Sequence, residues 1–286
     1  MKPCRRCRRR VPDATRACPH CRASQPRGER LPQTVLGLAA VAAATLAAIG
    51  SCPGLKAQQP VARAPLHSSG DPSRVNASLI VATRQEPPTI ARLRYDGGGD
   101  WYANPSSLDN LLEQIELRTG IDVADRPAEV GAADPDLADH PYLYATGHGN
   151  MSFTSLEIER LRAYLYGGGF LHVDDNYGLD ESFRREVARL FPDMPLAEVP
   201  LEHAIYRVFY DFAEGLPKIH EHDGDPAQGF GIFIDGRLAV YYSFESDLGD
   251  GWEDEGVHGD APEIREQALR MGVNLFLYAL SAMPTR

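Results

Sequence analysis

Apolar positions over residues 89–283 recur with two alternating spacings, which predict strands separated by helices. Apolar runs at Thr89–Tyr95, Tyr142–Thr146 and Phe170–Val173 have the length of buried strands, and a shorter run lies at Ile121–Val123. Between the runs, apolar residues three and four positions apart predict amphipathic helices. Strands that alternate with such helices are typical of a doubly wound, mainly parallel sheet. The sequence therefore predicts an α/β domain over residues 89–283.

Capping signals mark the ends of the predicted helices. The first helix follows Ser106 or Ser107 and ends at Gly120. Thr154 and Glu157 form a capping box at the start of the second helix, which a run of three glycines ends. The remaining predicted elements are two helices and one β-hairpin: Glu181–Leu190, Pro262–Ala279, and Gly231–Asp235 with Leu238–Ser243.

The first 88 residues lack this alternation. Residues 31–55 carry no charge and include Val35–Ile49, an almost continuous run of Ala, Leu, Val and Ile that predicts a transmembrane helix. A second interpretation takes 49–52 as the lipobox of a lipoprotein signal, with Cys52 acylated and the preceding residues removed. Residues 56–88 are rich in Pro, Ala, Gln and Ser and predict a flexible linker. Under both interpretations the large domain lies at the outer face of a membrane.

Charge is divided unevenly between the two ends of the chain. Residues 1–34 carry ten Lys and Arg against two acidic residues, whereas residues 71–286 carry 17 against 38. Because basic residues flank membrane segments on the cytoplasmic side, we expect a cytoplasmic N-terminus and an extracytoplasmic large domain, periplasmic or at the outer face. The acidic balance of that domain disfavours nucleic acid as a partner. Its ligand is expected to be neutral or cationic, unless a metal intervenes.

Four cysteines near the N-terminus have the spacing of zinc ligands. They form two Cys-x2-Cys pairs separated by ten residues, and four thiolates complete a tetrahedral Zn²⁺ site. The four are Cys4, Cys7, Cys18 and Cys21. Residues 1–30 are therefore predicted to be a small zinc ribbon, with redox dithiols or disulfides as the alternative. The large domain contains no cysteine, which excludes a disulfide or a cysteine nucleophile there.

Polar, glycine-containing turns follow three of the predicted strands. Because parallel strands end along one edge of a sheet, where such folds bind ligands, these turns are expected to converge. Two later segments, 220–224 and 245–252, are expected to join them. The candidate catalytic residues are His148, Asp174 and Asp175. The candidate ligand-binding residues are Asp96, Gly97, Gly98, Gly99, Asp100, Trp101, Asn150, Asn176, Tyr177, His220, His222, Asp223, Glu245 and Asp247.

Two functions are consistent with these residues. One is a metal-assisted hydrolase of a glycan or another polar envelope substrate, in which carboxylates and imidazoles hold a divalent cation. Without a metal, Asp174 or Asp175 would act as a general base helped by His148. The alternative is a non-catalytic ligand-binding or protein-interaction module of a cell-envelope complex. Its pocket would be lined by Trp101, Tyr102, Tyr177 and Trp252.

At these motifs the chain closely resembles the bacterial domain of unknown function 4159, which is assigned to the class I glutamine amidotransferase-like superfamily. The matching stretches, within about residues 88–281, are Arg94–Tyr102, Thr146–Asn150, Gly167–Gly178, Lys218–Gly224 and Tyr241–Trp252. The resemblance implies a flavodoxin-like sandwich and no particular reaction. More distantly, Gly167–His172 is similar to ThuA-like proteins associated with sugar metabolism. True amidotransferases carry a cysteine at the turn after a central strand, and Asp174 and Asp175 occupy that turn here.

Overall fold

The computed structural model describes residues 86–281 and, near the N-terminus, two short strands, Lys2–Pro3 and Arg10–Val11, which pair antiparallel. The four candidate zinc ligands, the predicted membrane segment 31–55 and residues 56–85 of the predicted linker lie outside the described residues. Within residues 86–281, no helix is both long enough and apolar enough to cross a membrane.

The part of the large domain that is described contains seven strands and five α-helices. The strands are β1 (Ile90–Arg94), β2 (Ala128–Gly131), β3 (Tyr142–Ala145), β4 (Phe170–Asp174), β5 (Ala197–Glu198), β6 (Gln228–Ile234) and β7 (Arg237–Phe244). The helices are α1 (Ser107–Thr119), α2 (Ser155–Tyr166), α3 (Asp180–Leu190), α4 (Leu248–Trp252) and α5 (Pro262–Ser281). Short 3-10 turns occupy Leu137–Asp139 and Ala204–Tyr206.

All seven strands join one sheet in the order β2-β1-β3-β4-β7-β6-β5. The five strands from β2 to β7 are parallel, and β6 and β5 continue the sheet antiparallel. The parallel strands follow the same spatial order as the strands of a flavodoxin-like sheet. The predicted α/β fold is confirmed, and the ends of β1, β3, β4 and β7 lie along one edge.

Helices cover both faces of the sheet. On one face, α1, α4 and α5 pack against side chains such as Tyr142, Tyr144 and Phe170. On the other, α2 and α3 pack against Leu143 and Leu171. Successive residues of β3 and β4 therefore enter opposite cores, as the period of a strand requires.

Local signals predicted several boundaries correctly. Both hydrogen bonds of the Thr154–Glu157 capping box are present, and α1 ends at Gly120 in the left-handed region. The hairpin turns on Asp235 and Gly236, whose φ angles of 51° and 81° suit a tight two-residue turn. The predicted strand at Ile121–Val123 is wrong, because this segment is irregular and the strand follows later, as β2. Its two apolar side chains are nevertheless buried in the core beside α1.

Candidate functional site

The loops after β1 and β3 are joined by backbone contacts. Gly99 donates its N–H to the Asn150 carbonyl at 2.9 Å, and Asp96 pairs antiparallel with Ser152. Gly147, between β3 and His148, has a φ of +136°, and a Cβ there would lie 2.4 Å from the Tyr95 hydroxyl. This close approach requires glycine. The two loops therefore form one platform at the point where the strand order reverses.

The platform carries a paired aspartate and histidine. Asp100 accepts a hydrogen bond from the backbone N–H of His148, and its Oδ2 lies 3.1 Å from His148 Nδ1. The imidazole is 54% exposed, and its carboxylate partner is 35% exposed. His148 thus keeps one edge on Asp100 and turns the other to solvent.

Asp174 ends β4 inside the protein. Its Oδ1 accepts from Ser243 Oγ at 2.5 Å and from the N–H of Leu248 at 3.1 Å. Its Oδ2 accepts from Tyr144 Oη at 3.1 Å and from the N–H of Gly249 at 2.6 Å. Burial raises the pKa of Asp174 to about 6, although these hydrogen bonds oppose the shift. Asp174 is fully buried, and both of its oxygens are taken by protein donors.

A chain of hydrogen bonds leads from Asp174 into the core. Because Ser243 donates to Asp174, its oxygen accepts from His172 Nε2 at 2.8 Å. His172 Nδ1, 2.9 Å from Tyr142 Oη, then accepts from that hydroxyl. Burial lowers the pKa of His172 to about 3, so the imidazole is neutral. These hydrogen bonds pair polar groups that are all buried beneath the edge of the sheet.

Asp175, the next residue, belongs to a second cluster. One potential ligand atom from each of Asp175, His222 and Glu245 lies within 4.8 Å of the other two. Asp175 is 3% exposed, and its Oδ2 accepts from the backbone N–H of Glu245 at 2.9 Å. Burial raises the pKa of Asp175 to about 6. Two carboxylates and an imidazole in this arrangement match the donors that Zn²⁺, Mn²⁺ and Fe²⁺ accept.

A lysine already contacts this cluster. Lys218 Nζ lies 2.7 Å from Glu245 Oε2 and 3.3 Å from Glu221 Oε2. Burial alone would raise the pKa of Glu245, but hydrogen bonds from Lys218 and from the backbone N–H of Asp223 lower it. Glu245 is therefore an ionised, buried carboxylate.

Asp247 lies beside the same cluster with one oxygen unpaired. Its Oδ2 is 3.3 Å from His222 Nε2, whereas its Oδ1 is buried and has no hydrogen-bond partner among the described residues. Burial, followed by the charges of Asp174 and Asp250, raises the pKa of Asp247 well above its ordinary value. Glu245 and Asp247 both have positive φ, 56° and 55°. Backbone strain of this kind is characteristic of functional sites.

Two more imidazoles lie beside Asp250. His258 Nδ1 lies 3.1 Å and His220 Nδ1 3.9 Å from Asp250 Oδ2. Asn104 donates to the other oxygen of Asp250 at 3.0 Å. The rings of His220 and His222 are 5.8 Å apart, so the predicted segment 220–224 places one imidazole beside Asp250 and the next beside Asp247.

Aromatic rings border the edge on its exposed side. Tyr102 is 63% and Tyr177 61% exposed, and the Tyr177 ring meets His222 edge-to-face at 6.3 Å. Trp101, half-buried, stacks edge-on with Tyr102. The prediction that Trp252 lines a pocket is wrong, because its side chain is fully buried and its Nε1 donates to the Ala268 carbonyl.

The predicted residues thus occupy two connected groups. Asp100 and His148 lie on the platform, whereas Asp175, His222 and Glu245 form the cluster, with Asp247 beside it. The loops meet where the Gly149 N–H donates to the Tyr177 carbonyl at 3.3 Å. The other predicted residues shape the loops: Asp96, Gly97, Gly98 and Gly99 on the platform, Asn150 through its bond to the Gly97 carbonyl, and Asn176 through its bond to the Tyr177 N–H. The sequence did not predict Lys218 as a site residue, although Lys218 begins the matching stretch Lys218–Gly224.

Residues 89–280 match the family described as Domain of unknown function (DUF4159). The chain belongs to this family. The matched residues include all seven strands of the sheet and the loops that carry the platform and the cluster. No curated protein matches the chain.

Proposed function

We propose that the DUF4159 domain is a metal-assisted hydrolase that binds a divalent cation through Asp175, His222 and Glu245. The observation that carries this proposal is the convergence of three potential ligand atoms, one from each residue, within 4.8 Å at the edge of the sheet. The edge beyond parallel strands is where such folds bind ligands.

The chemistry of the surrounding residues supports a cation. Asp175 and Asp247 are buried carboxylates whose pKa values are raised, and within the described part of the chain Asp247 Oδ1 has no hydrogen-bond partner. Buried charges are normally paired or bound to metals. A divalent cation bound there would polarise a substrate oxygen and lower the pKa of a bound water towards about 7.

The surroundings also favour one class of substrate. Residues 71–286 carry 38 acidic against 17 basic residues, which repels polyanions. Tyr102 and Tyr177 offer exposed rings at the same edge, and such rings present an apolar face and a polar hydroxyl. We therefore propose a neutral polar substrate, such as a glycan of the cell envelope.

Metal analysis of the full chain tests the proposal. Wild-type protein and the Asp175→Asn, His222→Ala and Glu245→Gln variants are loaded with Zn²⁺ or Mn²⁺, desalted and analysed by mass spectrometry. We expect each variant to lose one equivalent relative to the wild type. Matched controls are Asp225→Asn and His140→Ala, which alter the same residue types outside the cluster and should retain the full content.

One observation favours a non-catalytic binding module instead. Lys218 already neutralises Glu245 at 2.7 Å, so the cluster has a cation of its own. Under this second function the metal content of the cluster variants equals that of the wild type. The exposed rings would then serve recognition without turnover.

The N-terminal region completes the proposal. The spacing of Cys4, Cys7, Cys18 and Cys21 supports a zinc ribbon, and the uncharged segment 31–55 supports a membrane anchor or, with Cys52, a lipid anchor. The large domain would then be extracytoplasmic. Protease added to intact spheroplasts should digest residues 89–281 while sparing a cytoplasmic marker; full protection would contradict this orientation.

The strand order supports a wider relationship. The five parallel strands have the flavodoxin-like order, as the class I glutamine amidotransferase-like superfamily would require. We propose membership in that superfamily without its cysteine-dependent reaction, because the domain has no cysteine.

A further inference from the structure

Asp100 makes two different contacts with His148. It accepts the backbone N–H of His148, and it faces Nδ1 of the ring at 3.1 Å through Oδ2 and 3.3 Å through Oδ1. A carboxylate accepts hydrogen bonds at neutral pH, so a proton on Nδ1 satisfies this contact and a bare Nδ1 does not. The contact therefore favours the Nδ1–H form of the imidazole, with its lone pair on Nε2.

The position of Asp100 is fixed by the loops themselves. Its N–H donates to the His148 carbonyl at 3.3 Å, so the two residues are joined in both directions. On either side, Gly99 bonds to Asn150, and Arg185 holds Asn150 Oδ1 at 3.0 Å. Because these contacts hold the backbone of Asp100, its short side chain has little freedom to lose when it orients His148, which is what a positioning residue requires.

The loop of His148 is joined to the residues around the proposed metal cluster through Tyr177. Among the described residues, Nε2 of His148 has no protein hydrogen-bond partner, and the ring is 54% exposed. The neighbouring Gly149 is bonded to Tyr177, whose ring contacts His222 of the cluster. A substrate lying across Tyr177 would reach His222 on one side and the His148 loop on the other.

We propose that Asp100 is a positioning residue that fixes His148 as the Nδ1–H tautomer, and that Nε2 of His148 is the base of the hydrolysis. This inference rests on the proposed function and adds the base of the same site. Nε2 takes a proton from the attacking water as its oxygen bonds to the electrophilic carbon. The leaving oxygen takes a proton from solvent as the carbon–oxygen bond breaks, and the imidazolium then releases its proton to solvent. Water and substrate are consumed, two hydroxyl products form, and His148 ends neutral.

Nitrogen NMR of the full chain tests the tautomer directly. Protein labelled with ¹⁵N-histidine is recorded at a pH where the ring is neutral, and the His148 signals are assigned by their loss in His148→Gln. We expect at least about a tenfold excess of Nδ1–H, because a hydrogen bond to a charged acceptor favours that form. Asp100→Asn should reduce the excess severalfold, whereas the control Asp96→Asn, on the same loop, should leave it unchanged.

The reactivity of Nε2 supplies a second readout. Diethyl pyrocarbonate acylates an unprotonated, accessible imidazole nitrogen; peptide mass spectrometry identifies the modified histidine, and NMR of the ¹⁵N-labelled protein shows which nitrogen carries the adduct. His148 should be acylated at Nε2 in the wild type, and Asp100→Asn should divert part of the adduct to Nδ1. A wild-type His148 that carries its proton on Nε2, or whose tautomer is indifferent to Asp100→Asn, would overturn the proposal. The wild-type spectrum decides this even if the variant fails to fold.

Removing metal separates this inference from the proposed function. The same spectra are recorded after treatment with EDTA, which should leave the tautomer of His148 unchanged because Asp100 alone sets it. A correct tautomer in a protein that binds no metal at Asp175, His222 and Glu245 would retain the positioning role and reject the metal-assisted reaction. Metal binding together with the opposite tautomer would reject the role of Asp100 alone.

Discussion

Lys218 Nζ lies 2.7 Å from Glu245 Oε2, at one of the three residues that converge at the edge of the sheet. The lysine side chain is 22% exposed and the glutamate 3% exposed, so the pair is largely shielded from water. Any cation that enters the cluster competes with this ammonium group. The pair therefore links the stability of the empty domain to its affinity for metal.

Lys218→Ala should separate these two properties. In EDTA, the variant should lose about 1–3 kcal/mol of unfolding free energy, because Glu245 is left buried without its counter-ion. Added Zn²⁺ or Mn²⁺ should restore the loss and bind more tightly than to the wild type. Urea unfolding with and without metal measures both effects, and Arg207→Ala, at an exposed ion pair, is the control. Equal metal response in both proteins would argue against a cation at Glu245.

Asp247→Asn should stabilise the metal-free domain. The substitution keeps the shape of a side chain whose Oδ1 is buried with no hydrogen-bond partner in residues 86–281, and it removes an ionisation that Asp174 and Asp250 disfavour. Asparagine also tolerates the positive φ of 55° at this position. We expect a gain of about 1–2 kcal/mol at pH 7 in EDTA, since ionising a buried carboxylate beside other acidic groups is unfavourable. Asp211→Asn, an exposed control, should show no gain, and a destabilised Asp247→Asn would mean that the carboxylate has a favourable partner.

His172 should account for part of the loss of unfolding free energy at acidic pH. Its pKa is about 3 in the folded protein and near 6.5 in an unfolded chain. The unfolded state therefore binds more protons between these values, so the unfolding free energy falls as pH falls from about 6.5 to about 3. In His172→Phe this contribution disappears and the acid loss should be shallower. The same variant should be about 1–3 kcal/mol less stable at pH 7, because Tyr142 and Ser243 lose a partner.

Ser243→Ala provides the comparison for His172→Phe. It breaks the same chain without removing an ionisable ring, so it should lower stability while retaining the acid slope. Urea unfolding across pH 3–7 distinguishes the two variants. Parallel slopes in wild type and His172→Phe would contradict a neutral, buried His172.

Two glycines of the platform should respond differently to alanine. Gly147 has a φ of +136°, and a Cβ there would lie 2.4 Å from Tyr95 Oη and 2.8 Å from the Asp100 carbonyl oxygen. Gly98 has a φ of +94° with open space around it. We expect Gly98→Ala to cost about 1 kcal/mol through backbone strain alone, and Gly147→Ala to cost about 3 kcal/mol or more. Urea unfolding measures both, and similar losses would mean that the loop can move away from Tyr95.

The sequence predicted elements whose signals are local. The apolar spacing of Leu108, Leu111 and Ile115 predicted α1, and Asp235-Gly236 predicted the hairpin. The sequence did not predict β2, because Val130 is the only fully buried residue of that strand and leaves no apolar pattern. Ile121 and Val123 suggested a strand, but they are apolar because they pack beside α1. The two-residue strand β5 is exposed and leaves no pattern.

The sequence predicted which loops carry the candidate residues, but it did not predict how their side chains are arranged. The position of strand ends in a parallel sheet correctly predicted that His148 and Asp175 would follow neighbouring strands, whereas Asp174 is the last residue of β4 itself. The sequence could not predict that Asp174 is enclosed by protein donors while Asp175 joins the cluster. The difference depends on hydrogen bonds from Tyr144, Ser243 and Gly249, which are far apart in sequence. The pairing of Lys218 with Glu245 arises in the same way, from a contact across 27 positions.

Asp174 joins four parts of the fold at a single carboxylate: the strand that bears it, β3 through Tyr144, β7 through Ser243, and the start of α4 through Leu248 and Gly249. The neighbouring Asp175 belongs to the cluster, and Glu245 follows β7 directly. A ligand that bridges Asp175 and Glu245 would hold the same strands together from outside. Binding at 100 times the dissociation constant adds about 2.7 kcal/mol to the unfolding free energy. The melting temperature should therefore rise when a ligand binds at this edge, so metals and sugars can be screened by thermal unfolding.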